Sequence, residues 1–262
     1  AGNLSLTASN TELRFYEGSN YVGFEAPALS ADQIWVLPTA DGSANQVLKT
    51  DGSGALSWTA NTAASSVNGL SDALVEDNSL YIGNDPTSTT STAEYNLAVG
   101  TTALDAITTG DKNVAVGYDA LTANTTGTRN IAMGYGALDA PDTENDNLAI
   151  GYDALGGAIA GGEFNVAIGN YSLDALTTGD NNVAVGYNAL TANTTGSYNT
   201  ASGYQSLYAN TTGSRNTASG QESLKSNTEG DKNTASGYNS LYSNTTGDEN
   251  TASGYYSLFA NT

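Results

Sequence analysis

The chain contains no cysteine and no histidine in 262 residues. Disulfides, Cys/His zinc sites, thiol nucleophiles and histidine-based triads are therefore excluded by inventory. The missing cysteine leaves the redox compartment open, because such a chain folds in either. Basic residues are scarce: 7 Lys plus Arg stand against 27 Asp plus Glu, a formal net charge of -20. A surface of this sign repels phosphate backbones and anionic lipid, so nucleic acid is not an expected partner. The acid is spread along the chain rather than gathered in a tail. No stretch is apolar over a membrane-spanning length and none reads as a signal peptide, so membrane insertion is not expected. Proline is also rare, at four residues.

What is abundant is repetition. Copies of one motif begin at Asn96, Asn113, Asn130, Asn147, Asn165, Asn182, Asn199, Asn216, Asn233 and Asn250, 17 residues apart except for one step of 18. A fixed period of this kind marks a solenoid, which grows along an axis and needs no single large core. The chain starts at Ala1 without Met and stops at Asn261-Thr262 inside a copy, so it is expected to be a segment of a longer protein.

Residues 1–58 carry no repeat and are expected to form a small β-rich module. Leu13–Tyr16, Tyr21–Phe24, Gln33–Leu37, Gln46–Leu48 and Ala55–Trp58 read as strands, with Glu17–Asn20, Ala40–Ser43 and Thr50–Gly54 as turns. Its size suggests that neighbouring chains complete its core. Residues 59–95 read as a linker, with a turn or two of helix over Asn68–Leu74 and a strand at Leu80–Gly83. Residues 96–262 form the repeat region.

The copy from Asn113 to Arg129 shows the physics of one coil. Asn113-Val114-Ala115-Val116-Gly117 alternates with period two and predicts a short strand. Tyr118 to Thr122 is expected to hold a second short strand after a bend, and Asn124 to Gly127 a turn. The expected fold is all-β: a parallel β-roll or β-helix of ten coils.

Positions that stay constant differ in meaning from positions that change. The third is Ala, the fifth Gly and the ninth Leu in every copy, as in Ala115, Gly117 and Leu121 or Ala184, Gly186 and Leu190. This set is expected to mark a tight interior. Asn113 and Asn182 head their copies, and an Asn ladder along the axis is expected rather than a ligand-binding row. Gly127 and Gly196 close the turns. The second and fourth positions are apolar in six copies, as in Val114 and Val116 or Val183 and Val185. From Thr200 and Ser202 onward they are hydroxyl-bearing. An apolar ladder on the face opposite Ala and Gly calls for a partner, most simply further copies of the chain, with a homotrimer the expected state. The change at Asn199 predicts that the chains meet differently beyond it.

The strands Asn113–Gly117 and Asn165–Gly169 resemble the head repeats of trimeric autotransporter adhesins, which form left-handed parallel β-rolls. The longer pattern, seen for example in Asn199-Thr200-Ala201-Ser202-Gly203-Tyr204 followed by Asn210-Thr211-Thr212-Gly213, is similar to stalk repeats of bacteriophage tail fibres. The stretch from Leu13 to Trp58 is similar to modules in fibres of marine phages. The resemblance implies a virion tail-fibre segment that supports host attachment. Its expected partners are itself, other fibre or baseplate proteins, and a host surface glycan or protein. A bacterial surface adhesin is the alternative, with the cell surface as its location.

The Thr/Ser rows also resemble those of ice-binding β-solenoids, which gives a third reading. Asp111, Asp180, Asp231 and Asp248 follow the turn Gly and are expected to be turn residues rather than calcium ligands. Tyr118, Tyr135, Tyr152, Tyr187, Tyr204, Tyr238 and Tyr255 recur at the sixth position, where a packed stack is expected rather than a sugar-binding strip. No acid and base pair is placed for glycosidase chemistry. No enzyme activity, metal or cofactor is expected.

Overall fold

The computed structural model describes residues 12–17, 20–25, 38–39, 42–43, 46–51, 53, 55–60, 73–76, 78–83, 92–141 and 143–261. The chain divides into two compact units, Ala1–Ala63 and Ala64–Thr262.

The first unit contains two hairpins. β1 (Glu12–Glu17) pairs antiparallel with β2 (Asn20–Glu25), and β3 (Gln46–Thr50) with β4 (Leu56–Ala60). Asp51 shapes the second turn: its Oδ1 accepts the N–H groups of Ser53 at 2.8 Å and Ala55 at 3.1 Å. The strand expected at Gln33–Leu37 lies outside the described residues.

The second unit is one 12-stranded sheet running from β5 (Ala73–Glu76) to β16 (Thr251–Ser253). β6 (Ser79–Ile82) pairs antiparallel with β5 and parallel with β7 (Leu97–Val99), and every later pair is parallel. Among the described residues there is no helix. The helix expected over Asn68–Leu74 is corrected where it can be seen, since Ala73 and Leu74 begin β5; residues 61–72 are outside the description. Each repeat contributes one three-residue strand, from β7 through β8 (Val114–Val116), β9 (Ile131–Met133), β10 (Leu148–Ile150), β11 (Val166–Ile168), β12 (Val183–Val185), β13 (Thr200–Ser202), β14 (Thr217–Ser219) and β15 (Thr234–Ser236) to β16. Pairing is in register, Ala over Ala, and the 18-residue step leaves it intact: Ala149 pairs with Ala167. Ten steps from β6 to β16 at the spacing of paired strands give a rise of about 48 Å.

The second strand expected in each coil does not form. The segment after Gly117 is a succession of turns in which Asp119 and Leu121 have φ of 55° and 53°. The ninth-position Leu is left-handed in every coil, with φ between 48° and 55°. That conformation costs an L-residue roughly 1–2 kcal/mol. Full burial of the Leu side chain offsets it with roughly 1.5–3 kcal/mol. Leu104 through Leu241 are wholly buried beside the wholly buried third-position alanines Ala98 through Ala235. The turn segment still bonds from coil to coil, for example Leu121 N–H to the carbonyl of Ala137 at 3.2 Å.

The constant glycine has a different cause from the one the sequence suggests. Gly117 and its equivalents are half-buried rather than interior. They are glycine because φ lies between 126° and 143° in the ten coils and because, in all but the last, the next coil's backbone lies against them. A β-carbon on Gly169, for instance, would stand 2.6 Å from the carbonyl oxygen of Gly186.

Four rows of polar bonds tie the coils together. The first-position Asn is buried, and its backbone N–H donates to Oδ1 of the preceding Asn at 2.8–3.0 Å from Asn113 to Asn250. Its Nδ2 donates to the carbonyl that closes its own coil, as from Asn113 to Gly127 at 2.9 Å and from Asn182 to Gly196 at 2.9 Å. Ser79 takes the place of Asn at the head of this ladder, accepting the N–H of Asn96 at 2.9 Å. A second ladder, at the twelfth position, runs from Asn193 through Asn210, Asn227 and Asn244 to Asn261, each Nδ2 reaching the preceding Oδ1. Asn124 stands apart from it. The next coil carries Pro141 there, which has no donor to offer, and Oδ1 of Asn124 has no partner. The third row is the thirteenth-position Thr, whose hydroxyl donates to the next coil's carbonyl, as from Thr194 to Thr211 at 3.1 Å.

The fourth row explains the turn aspartates. Asp111 Oδ1 accepts the N–H of Glu94 at 2.8 Å, Asp180 that of Glu163 at 2.9 Å, Asp231 that of Ser214 at 2.7 Å and Asp248 that of Asp231 at 2.7 Å. Ser197 and Ser214 do the same with hydroxyls at 3.0 and 3.1 Å. These carboxylates serve neighbouring backbone.

Candidate functional site

Among the described residues, no group of three or more acidic side chains is arranged to hold a metal ion, and no helix is long and apolar enough to cross a membrane. The features open to partners are the outward sheet face and the rows beside it.

Alternation in each strand fixes which side chains face out. In β8, Ala115 is buried while Val114 and Val116 are partly exposed; in β12, Ala184 is buried while Val183 and Val185 are exposed at 36% and 38%. Leu80 and Ile82 of β6 lie in register with Leu97 and Val99, so the apolar face begins one strand earlier than the repeat itself. From β6 to β12 it carries fourteen outward apolar side chains and no charge. From β13 onward Thr200, Ser202 and their equivalents occupy the same outward positions and are exposed. The sequence-predicted ladder residues are placed differently. Asn113, Ala115, Leu121, Asn182, Ala184 and Leu190 are interior, Gly127 and Gly196 sit at the closing turns, and Gly117 and Gly186 lie against the next coil.

The tyrosines stand beside this face. Tyr118, Tyr135 and Tyr152 stack at centroid distances of 5.2 and 5.1 Å with rings 18° and 8° apart. At coil five the sixth position is Asn170, and Tyr171 from the next position continues the row edge-on, 5.4 Å from Tyr152 and 6.0 Å from Tyr187. Tyr187 and Tyr204 stack at 5.7 Å. Within these stacks the ring faces cover one another, so a sugar has mainly edges and hydroxyls to meet. The row stops at Gln221 and resumes with Tyr238 on Tyr255 at 5.3 Å.

Beside the tyrosine row, acid accumulates over coils two to five, with the Tyr152 and Asp153 side chains hydrogen-bonded to each other. Asp139 has an Oδ1 without a hydrogen-bond partner, and its carboxyl is pushed up to about 6 by burial first and by Asp153, Asp119 and Asp174 after it. Burial also raises Asp153 and Asp174 above the usual carboxylate range. A carboxyl raised in the fold favours the folded state when protonated. Its contribution is complete below the ordinary value near 3.8 and is lost as pH rises through about 6. Asp139→Asn is therefore expected to raise the melting temperature at pH 7. After allowance for solvent screening this gain is about 1 kcal/mol. It is also expected to flatten the stability profile between pH 4 and 6. Thermal melts of both proteins at pH 4, 5, 6 and 7 read this directly.

The seventeenth-position row is exposed and carries most of the chain's cations. Arg129 pairs with Asp146 at 2.6 Å and Lys232 with Glu249 at 2.8 Å, while Arg215 lies 5.7 Å from the Tyr198 ring. Pairs this open contribute little to stability.

The fold and surface together define a parallel β-solenoid whose sheet face changes from apolar to hydroxyl-bearing part-way along its axis. No family model, curated protein or solved structure matches the chain.

Proposed function

We propose that the chain is a structural, non-enzymatic segment of a phage tail fibre, in which three parallel copies associate through the apolar sheet face and support host attachment. The observation that carries this reading is the uncharged ladder of fourteen outward aliphatic and methionine side chains on β6 to β12, on a chain of net charge -20. A contiguous, uncharged apolar face of this kind marks an association surface. A second copy is the simplest partner for a repeating flat ladder, because it presents the same spacing in return. Trimerisation and the virion setting follow the repeats' resemblance to phage stalks and trimeric adhesin heads.

Immunogold labelling with an antibody against residues 93–261 tests the setting. Label along virion tail appendages is the expected result. Label on a bacterial envelope transfers the reading to a surface adhesin, and label on neither structure overturns both. Ice binding is a further reading, favoured by the exposed Thr/Ser rows of β13 to β16. It is dismissed by a thermal-hysteresis assay that reads zero.

A further inference from the structure

We infer that the gap in the tyrosine row at Gln221 is a binding slot for a neutral pyranose ring. The backbone brings Tyr204, Gln221 and Tyr238 above one another: Glu222 N–H bonds to the Tyr204 carbonyl at 2.8 Å and Asn239 N–H to the Gln221 carbonyl at 3.0 Å. Tyr204 stacks on Tyr187 with its other face toward coil eight, and Tyr238 stacks on Tyr255 with its other face toward the same coil. Two aromatic faces thus look toward each other across two coil steps, about 9.6 Å at the strand spacing. Coil five, the other interrupted coil, shows how a gap is closed from within. There Tyr171 fills the row from the adjacent position. In coil eight that position is Glu222, and the intervening residue is the exposed amide of Gln221.

Spacing and chemistry select the occupant. A ring centred in the slot sits about 4.8 Å from each neighbour. Elsewhere in the row the same step is filled by a tyrosine ring at 5.1–5.7 Å, and the chair of a pyranose is of a thickness to fill it too. Its C–H faces meet the tyrosines, and its hydroxyls meet the rim. Gln221 offers an amide that both donates and accepts, and Glu222 an acceptor fixed by Lys225 at 2.6 Å. The net charge of -20 disfavours an acidic sugar. The slot also lies in coils seven to nine, beyond the apolar face, so association through that face leaves it open.

This inference rests on the attachment role proposed above and gives it a ligand class. Saturation-transfer difference NMR tests it, using the intact chain with methyl β-D-glucopyranoside, methyl β-D-galactopyranoside and N-acetylneuraminic acid at millimolar concentration. Saturation of at least one neutral pyranoside is expected, with little for the acid. Gln221→Tyr, which completes the stack, is expected to reduce that signal at least five-fold, as is Tyr204→Ala, which removes one wall. Circular dichroism establishes that each variant is folded, and either folded variant suffices. No saturation by the unaltered chain, an undiminished signal in a folded variant, or equal saturation of the acid overturns the slot. The mass of the particle is measured separately, so a trimer that saturates no sugar removes the slot and leaves the fibre reading standing.

Discussion

Gly203→Ala is expected to destabilise the solenoid by about 4 kcal/mol or more, at the extreme end of single substitutions. Two costs combine. The backbone at Gly203 has φ of 143°, a region essentially restricted to glycine, and a β-carbon there would stand 2.5 Å from the carbonyl oxygen and 2.6 Å from the carbonyl carbon of Gly220. The obstacle is main chain: Gly220 N–H donates to the Ser202 carbonyl at 2.8 Å and its carbonyl accepts Ser223 N–H at 3.4 Å, so it cannot rotate away. Gly161→Ala separates the two costs, because φ there is 122° but nothing lies within 4 Å of the new carbon. It is expected to lose only about 1–3 kcal/mol, the range for backbone strain alone. Thermal melts of both variants, with amide hydrogen exchange across coils seven and eight for Gly203→Ala, provide the comparison. Equal losses would show that contact between coils is not what holds the fifth position to glycine.

Asn199→Ala is expected to cost about 2–4 kcal/mol, as a buried donor is left unsatisfied and several hydrogen bonds are lost. Asn199 Nδ2 donates to Gly213 at 2.8 Å and to Asn182 Oδ1 at 3.2 Å, and its Oδ1 accepts the N–H of Asn216 at 3.0 Å. Removing the side chain orphans the Asn216 N–H inside the coil. The Gly213 carbonyl keeps a donor from Asn210 at 2.9 Å, so the loss falls on the ladder more than on the turn. Asn199→Asp preserves the acceptor but buries a carboxylate where a donor is needed. Burial raises the carboxyl, so this variant is expected to be weakest at neutral pH and to recover on acidification. Denaturant titrations at pH 4 and 7 measure both effects. An Asp variant as stable as the parent at pH 7 would place the ladder in contact with water.

The parts of the fold that were legible in the sequence are those written in residue type. Ala115 between Val114 and Val116 announces a strand with one small inward side chain, and a constant Leu121 announces an interior position. Asn113 announces a polar group with a repeated internal partner. The turn wall was hidden because its conformation is not encoded in familiar turn residues. A left-handed Leu at φ near 50° is chosen by burial against local preference, and nothing in its identity reveals that. The second Asn ladder was masked by the turn that contains it, and by Ile107, Pro141 and Leu176 at the same position in other coils. A signal for the aspartate row did exist. The penultimate position is Asp, Asn, Ser, Thr or Glu in every complete coil, the side chains that can accept a neighbour's N–H. The gap at Gln221 was equally visible as a missing tyrosine, but its meaning needed the stacking on either side.

The sheet face presents the widest contrast between what a single chain buries and what it leaves to others. Val183 and Val185 are more than one-third exposed on a strand whose central Ala184 is sealed. Sedimentation velocity of the intact chain is the most direct test of association through this face. A particle of three chains, close to three times the 26.7 kDa of one, is expected, and it dissociates when Val114, Val116, Val183 and Val185 are replaced by the Thr and Ser of the later coils. A folded 26.7 kDa monomer at micromolar concentration, with the valines unaltered, would contradict it.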